Sequence, residues 1–146
     1  TAYGGIGYLR VKNIDDFDVE YFPLEMDMIQ QLRNSFLLYF TGEKHNSSII
    51  MDKYITNQKK NGTKGKENMD AIKQLAIRGK DMLLSGKVQE IGSLLHSAWM
   101  LKKNMCDDVS NEYIDSLYAM AMEANATGGK ILGAGGGGFM LFYIKF

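Results

Sequence analysis

Between Gly128 and Gly138, seven of eleven residues are glycine, and the cluster is set against two apolar, strand-like runs, Lys130–Leu132 and Phe139–Ile144. Glycine loses more backbone entropy on folding than any other residue, so the cluster is costly as plain structure. What it offers is a loop without side chains, able to take positive φ angles and to aim successive N–H groups at an anion. Such a loop reads as a ligand contact, for a phosphate or a sugar; the alternative is a tight β-connection with no ligand. Gly133-x-Gly135-x-x-Gly138 formally matches the dinucleotide fingerprint, which needs a helix opening at the loop. Here an aromatic-rich strand, Phe139–Ile144, follows instead, and no Gly-Lys-Ser/Thr is present, so neither a Rossmann nor a Walker loop is read.

At 146 residues, 45% hydrophobic and 23% charged, the chain has the composition of one globular domain with a core. Seventeen basic and seventeen acidic residues cancel, so nothing points to nucleic acid or an anionic membrane as partner. The single cysteine, Cys106, excludes an internal disulfide framework and suits a reducing cytoplasm. No stretch approaches the ~20 apolar residues of a membrane span. Thr1 opens no secretory signal, and since it is not Met and Phe146 falls at a strand, both ends read as cut.

The pattern along the chain predicts strands enclosing helices. Residues 3–12 alternate weakly, as a strand, and Glu20–Pro23 is extended. A short helix is expected over Leu24–Arg33, then a buried strand over Ser35–Phe40. Asn46 or Ser47 is placed to cap a helix carrying Ile49, Ile50 and Tyr54, and Asn57–Lys66 reads as a solvated, mobile loop. Amphipathic helices follow over Glu67–Ser85 and Val88–Lys103, and over Asn111–Ala126 with Ser110 as cap and Gly128 as stop. This order predicts an α+β sandwich, helices packed on one face of an antiparallel or mixed sheet.

The segment Gly129-Lys130-Ile131-Leu132-Gly133-Ala134-Gly135-Gly136-Gly137-Gly138-Phe139 resembles the third, C-terminal signature of the GHMP small-molecule kinases. Tyr3-Gly4-Gly5, Leu37-Leu38-Tyr39-Phe40-Thr41-Gly42 and Leu94–Lys103 occur in the family's order and favour the D-glycero-D-manno-heptose 7-phosphate kinase branch. The resemblance implies a ferredoxin-like GHMP kinase C-terminal domain over residues 24–146, with residues 1–23 as the tail of an N-terminal kinase domain. It implies ATP and Mg²⁺ as cofactors, the metal held mainly by a missing N-terminal half. It also implies a catalytic acidic residue just upstream of Thr1, so that this chain holds half an active site and is inactive alone.

Gly133, Gly135, Gly136, Gly137 and Gly138 are then the candidate cofactor-binding residues, and Tyr3, Gly4, Gly5, Thr41, Gly42 and His96 the candidate substrate-binding residues. Thr41-Gly42 reads equally as an ordinary strand-end turn, and His96, beside an apolar helix face, as a hydrogen-bonded boundary residue. Lys102 and Lys103 have two readings, facing phosphate or, preferred, a solvated helix end favoured by the C-terminal dipole. With only His45 and His96 and no Cys/His spacing, no metal site is assigned, and Asp107-Asp108 reads as solvent-facing. The resemblance implies a sugar kinase acting on the anomeric hydroxyl of a heptose 7-phosphate, toward a nucleotide-activated sugar. His45 stands where similar proteins tend to carry Arg, whose fork grips phosphate as His does not, and this favours an unphosphorylated, fucose-like sugar instead. The third reading is a non-enzymatic anion-binding α+β domain. An uncovered sheet edge would favour self-association.

Overall fold

The computed structural model describes residues 5–43 and 47–145. Strands β1 (Gly7–Val11) and β2 (Phe17–Tyr21) form an antiparallel hairpin, and helix α1 (Met26–Ser35) leads into β3 (Phe36–Phe40). Helices α2 (Ser47–Lys60), α3 (Gly62–Leu84), α4 (Ile91–Lys103) and α5 (Glu112–Glu123) follow, with short 3₁₀ turns before α4 and α5. Strands β4 (Ala126–Ile131) and β5 (Phe139–Ile144) complete a three-stranded antiparallel sheet of order β3-β5-β4. The fold is α+β, as the pattern predicts. Among the described residues no helix is long and apolar enough to cross a membrane.

Packing follows from the apolar spacing of the helices. Trp99 of α4, Ile114 and Tyr118 of α5, Ile131 of β4, and Met140 and Phe142 of β5 form one buried cluster. A second joins Leu32, Met82, Val88, Ile91 and Tyr143. α4 lies on β4 with almost no separation: a Cβ added at Gly128 would fall 1.9 Å from the Gly92 carbonyl oxygen. β3 is an edge strand, and Leu37, Leu38, Tyr39 and Phe40 are all exposed.

Three expectations are corrected. Asn57–Lys66 is not a loop: α2 runs to Lys60 and α3 starts at Gly62, with only Asn61 between them. Lysine and glutamine are good helix formers, and Gly65 lets the two helix ends meet, since a Cβ there would come within 3.0 Å of the Gln58 carbonyl oxygen. Gly128 does not stop a helix. α5 ends at Glu123, Asn125 makes the left-handed turn at φ 69°, and Gly128 lies inside β4. The cap of α5 is Asn111, whose Oδ1 accepts from the Ile114 amide at 2.8 Å, while Ser110 donates to Asp115.

Candidate functional site

The glycine loop leaves β4 at the fully buried Ile131 and returns at Phe139, closed at its base by the Leu132 amide donating to the Phe139 carbonyl at 2.8 Å. Its far half is tied to two neighbours. The Gly136 amide donates to the Val109 carbonyl at 2.8 Å, and the Gly138 amide donates to the Glu43 carbonyl at 2.9 Å. At Gly135 the sequence has no alternative: φ is 114°, and a Cβ would sit 2.9 Å from the Val109 carbonyl oxygen.

Thr41 forms the other side. It is 4% exposed, and its hydroxyl donates to the Gly138 carbonyl at 3.0 Å while accepting from the Glu43 amide at 3.3 Å. Its own amide donates to the same Gly138 carbonyl at 2.8 Å, and Tyr113 Oη donates to its carbonyl at 3.1 Å. Asn111 Nδ2 donates to Glu43 Oε2 at 2.9 Å, so the residue that caps α5 also holds the turn carrying Thr41, Gly42 and Glu43. A cleft of about 490 Å³ opens between this turn and the loop, lined by Phe40, Glu43, Ser47, Phe139 and the loop backbone.

Hydrogen-bond accounting shows what this cleft offers. Among the described residues, the amides of Gly133, Ala134, Gly135 and Gly137 have no acceptor. Gly135 and Gly137 are buried, Ala134 is half-buried and Gly133 is exposed. Buried amides are nearly always paired, so the two unpaired ones at Gly135 and Gly137 beside a cleft are what an oxygen-rich ligand would satisfy. The residues therefore fit phosphate or hydroxyl oxygens of a nucleotide or sugar. They do not fit its metal: among the described residues no group of three His, Cys, Asp or Glu side chains could hold an ion. Asp108 is paired with Lys53 at 2.6 Å, which holds its carboxyl below the usual range.

The only cation bonded to the loop among the described residues is Lys102, from the last turn of α4. Its ammonium donates to the Gly133 carbonyl at 2.5 Å and to the Ile131 carbonyl at 3.4 Å. Burial, and Lys130 close by, push its pKa down to about 8. Burial lowers Lys130 as well.

The structure thus brings Gly133, Gly135, Gly137 and Gly138 to one cleft, whereas Thr41, Gly42 and Gly136 do not line it, and Thr41 is a buried prop behind the loop. His96 lies elsewhere, on α4, with Nδ1 2.7 Å from the Tyr118 hydroxyl and the two rings 6.0 Å apart. Gly5 is exposed ahead of β1 and does not line the cleft; Tyr3, Gly4 and His45 lie outside the described residues. Sequence reasoning missed Glu43, Val109 and Asn111, and ranked Lys102 as a solvated helix end ahead of a phosphate-facing one. Only Asn111 carried a local signal, as a residue able to cap the helix that follows.

Residues 67–144 match the model of the GHMP kinases C-terminal domain. The chain is 30% identical over 144 residues to a D-glycero-alpha-D-manno-heptose 7-phosphate kinase of Campylobacter jejuni, covering 99% of this chain and 42% of that protein. It is 29% identical over 118 residues to the bifunctional fucokinase/GDP-fucose pyrophosphorylase of Arabidopsis thaliana, covering 81% of this chain and 11% of that one. The crystal structure of L. major mevalonate kinase in complex with R-mevalonate superposes with a TM-score of 0.81 at 18% identity, over 99% of this chain and 41% of the other. The chain spans less than half the length of each.

Proposed function

The chain belongs to the GHMP kinases, a family of ATP-dependent phosphotransferases, and on that premise we propose that it is the C-terminal portion of a sugar kinase acting on the anomeric hydroxyl of a heptose 7-phosphate or a related sugar. The observation that carries this reading is the loop of unpaired amides at Gly133, Ala134, Gly135 and Gly137, held open against the Thr41 turn. Phosphoryl transfer asks the protein for positioning and for stabilisation of negative charge rather than covalent chemistry. Backbone N–H groups with no side chains in the way supply both. In this reading the amides of Gly133, Ala134, Gly135 and Gly137 face the ATP phosphates, while Gly136 and Gly138 anchor the loop to Val109 and Glu43 and Thr41 holds its far end. Mg²⁺ and the acidic group that assists the sugar hydroxyl come from a preceding N-terminal domain, of which residues 1–23 are the tail. ATP supplies the transferred phosphoryl group, and the fragment without its partner domain has no turnover.

The heptose assignment is supported by the Campylobacter jejuni relative, at 30% identity over the chain. A second reading, an unphosphorylated fucose-like sugar, is supported by the Arabidopsis thaliana relative and by His45 in place of a phosphate-gripping Arg. Expression of the complete coding sequence and assay of sugar-dependent ADP release separate them. Turnover with heptose 7-phosphate but not with L-fucose supports the first, and the reverse supports the second. Retained ligand binding with no turnover of any sugar would leave the anion-binding domain.

A further inference from the structure

Lys102 is an unusual residue to find bonded to this loop. Its ammonium is half-buried, it has no carboxylate partner among the described residues, and it shares its surroundings with a second lysine, Lys130. Removing a charge from water without an opposite charge is unfavourable, and a like charge nearby adds to the penalty. Hydrogen bonds to two backbone carbonyls are what this arrangement provides in return.

Those two bonds determine more than they touch. In a planar trans peptide the C=O and the following N–H point in opposite directions. Two units earlier in the chain this is visible directly: Lys102 takes the Ile131 carbonyl, and the Leu132 amide points the other way, to the Phe139 carbonyl. By the same geometry, holding the Gly133 carbonyl against α4 turns the Ala134 amide away from α4, to the open side of the loop. Ala134 lines the cleft there, and its amide has no acceptor among the described residues. A cationic donor on the carbonyl also polarises the peptide, which strengthens the N–H as a donor. The far half of the loop is held by Val109, Glu43 and Thr41. Gly133, at φ 68° with nothing within 4 Å of its Cβ position, has no such neighbour.

From this we infer that Lys102 is a positioning residue of the kinase site, whose ammonium clamps the Gly133 carbonyl and so presents the Ala134 amide to a phosphate oxygen in the cleft. The inference rests on the function proposed above for the same cleft. It does not place Lys102 on the substrate; the lysine acts through the peptide it holds.

The test uses the complete protein with Lys102→Met and Lys102→Arg. The first measurement is amide hydrogen exchange at Leu132, Gly136 and Gly138, the loop amides that have acceptors, with no ligand present. The Met variant, of similar length and without a donor, is expected to exchange roughly 10- to 100-fold faster there, the scale of a lost charge-assisted hydrogen bond. Arg, which can still donate to both carbonyls, retains most of the protection. The second measurement is kinetic. In the Met variant a raised KM for ATP with an unchanged KM for sugar assigns the phosphate to the nucleotide, and the reverse assigns it to the sugar. Exchange that does not change in the Met variant overturns the clamp, whatever happens to activity. Faster exchange with kcat and both KM values unchanged overturns the presentation of Ala134. If the wild-type protein turns over no sugar, the proposed function fails. Titration of the Ala134 amide ¹⁵N shift with inorganic phosphate then decides the inference: a shift in wild type that is lost in Lys102→Met supports it, and no shift overturns it.

Discussion

The tight contact of helix and sheet at Gly92 and Gly128 gives a perturbation whose size follows from geometry. In Gly128→Ala the new Cβ would lie 1.9 Å from the Gly92 carbonyl oxygen, 2.7 Å from its carbon and 3.0 Å from His96 Cβ. Gly128 is not among the positive-φ residues, so the strain is purely steric. A C···O contact normally needs more than 3 Å, so α4 must move off β4 by about 1 Å, because the first atoms met are backbone and cannot rotate away. Overpacking a filled core costs about 1–3 kcal/mol, occasionally more, and the backbone clash places this variant at about 3 kcal/mol. With a urea slope of about 2–3 kcal/mol/M, the denaturation midpoint of the complete protein should fall by about 1–1.5 M. Gly133→Ala is the control: its Cβ meets nothing within 4 Å, and its φ of 68° alone costs about 1–2 kcal/mol. If Gly128→Ala unfolds at the wild-type midpoint, or is the milder of the two, then the α4–β4 contact is not as tight as described and the reasoning fails.

Three further outcomes are expected. Thr41→Val deletes the bond to the Gly138 carbonyl and leaves the Glu43 amide without its side-chain acceptor. It should cost about 1–2 kcal/mol in chemical denaturation and speed hydrogen exchange at Gly138 more than at Gly133. Asn111→Ala removes both the cap of α5 and the tie to Glu43, a loss of about 1–2 kcal/mol that Asn111→Asp should restore only in its capping part, because a carboxylate cannot donate to Glu43. The third concerns pH. Lys102 titrates near 8 in the fold against 10.5 when free. Below pH 8 it is protonated in both states and its burial weakens the fold in full. Between about 8 and 10.5 only the unfolded chain holds the proton, so its contribution to stability rises with pH. Lys130, the charged neighbour, is shifted in the same direction. Denaturation midpoints taken across that window should rise less steeply in Lys102→Met than in wild type.

What could be read from the sequence is what periodicity and turn chemistry encode locally. The run Phe139–Ile144 is strand β5, Ser35–Phe40 is β3 within one residue, and the apolar spacing from Ile91 to Leu101 gives α4. Asn57–Lys66 misled because its lysines and glycines suggest a solvated loop, whereas lysine is as content on an exposed helix face, and Gly65 is required by the neighbouring helix end at Gln58. Ser110 and Asn111 are both competent caps, and only the position of Glu43, far off in the chain, favours the second. Lys102 is ambiguous in the sequence for a different reason. A long, flexible side chain at a helix end reads as solvated, and its target, the Gly133 carbonyl, exists only once β4 has been laid against α4.

That last dependence divides the glycine cluster, which looks uniform in sequence, into two parts with different causes. Gly128 and Gly129 are glycine because something else occupies their space: the Gly92 carbonyl in one case, and in the other Phe142 Cδ1, 2.5 Å from where a Cβ would stand. Gly128 sets how closely β4 lies on α4, and with it the distance over which Lys102 must reach, while Gly129 makes room for the Phe142 ring of β5. Gly133 and Gly138 have nothing within 4 Å of their Cβ positions, so packing does not explain them. A ligand approaching closely would, as would the backbone angle itself. The two parts are therefore separable by experiment. Alanine at Gly128 should lower stability and activity together, as the helix carrying Lys102 moves. Alanine at Gly138 should leave the core intact and show its larger effect on binding. The ligand reading of the cluster thus concerns the part of it where the backbone angle, and not packing, calls for glycine and the space beside it is open.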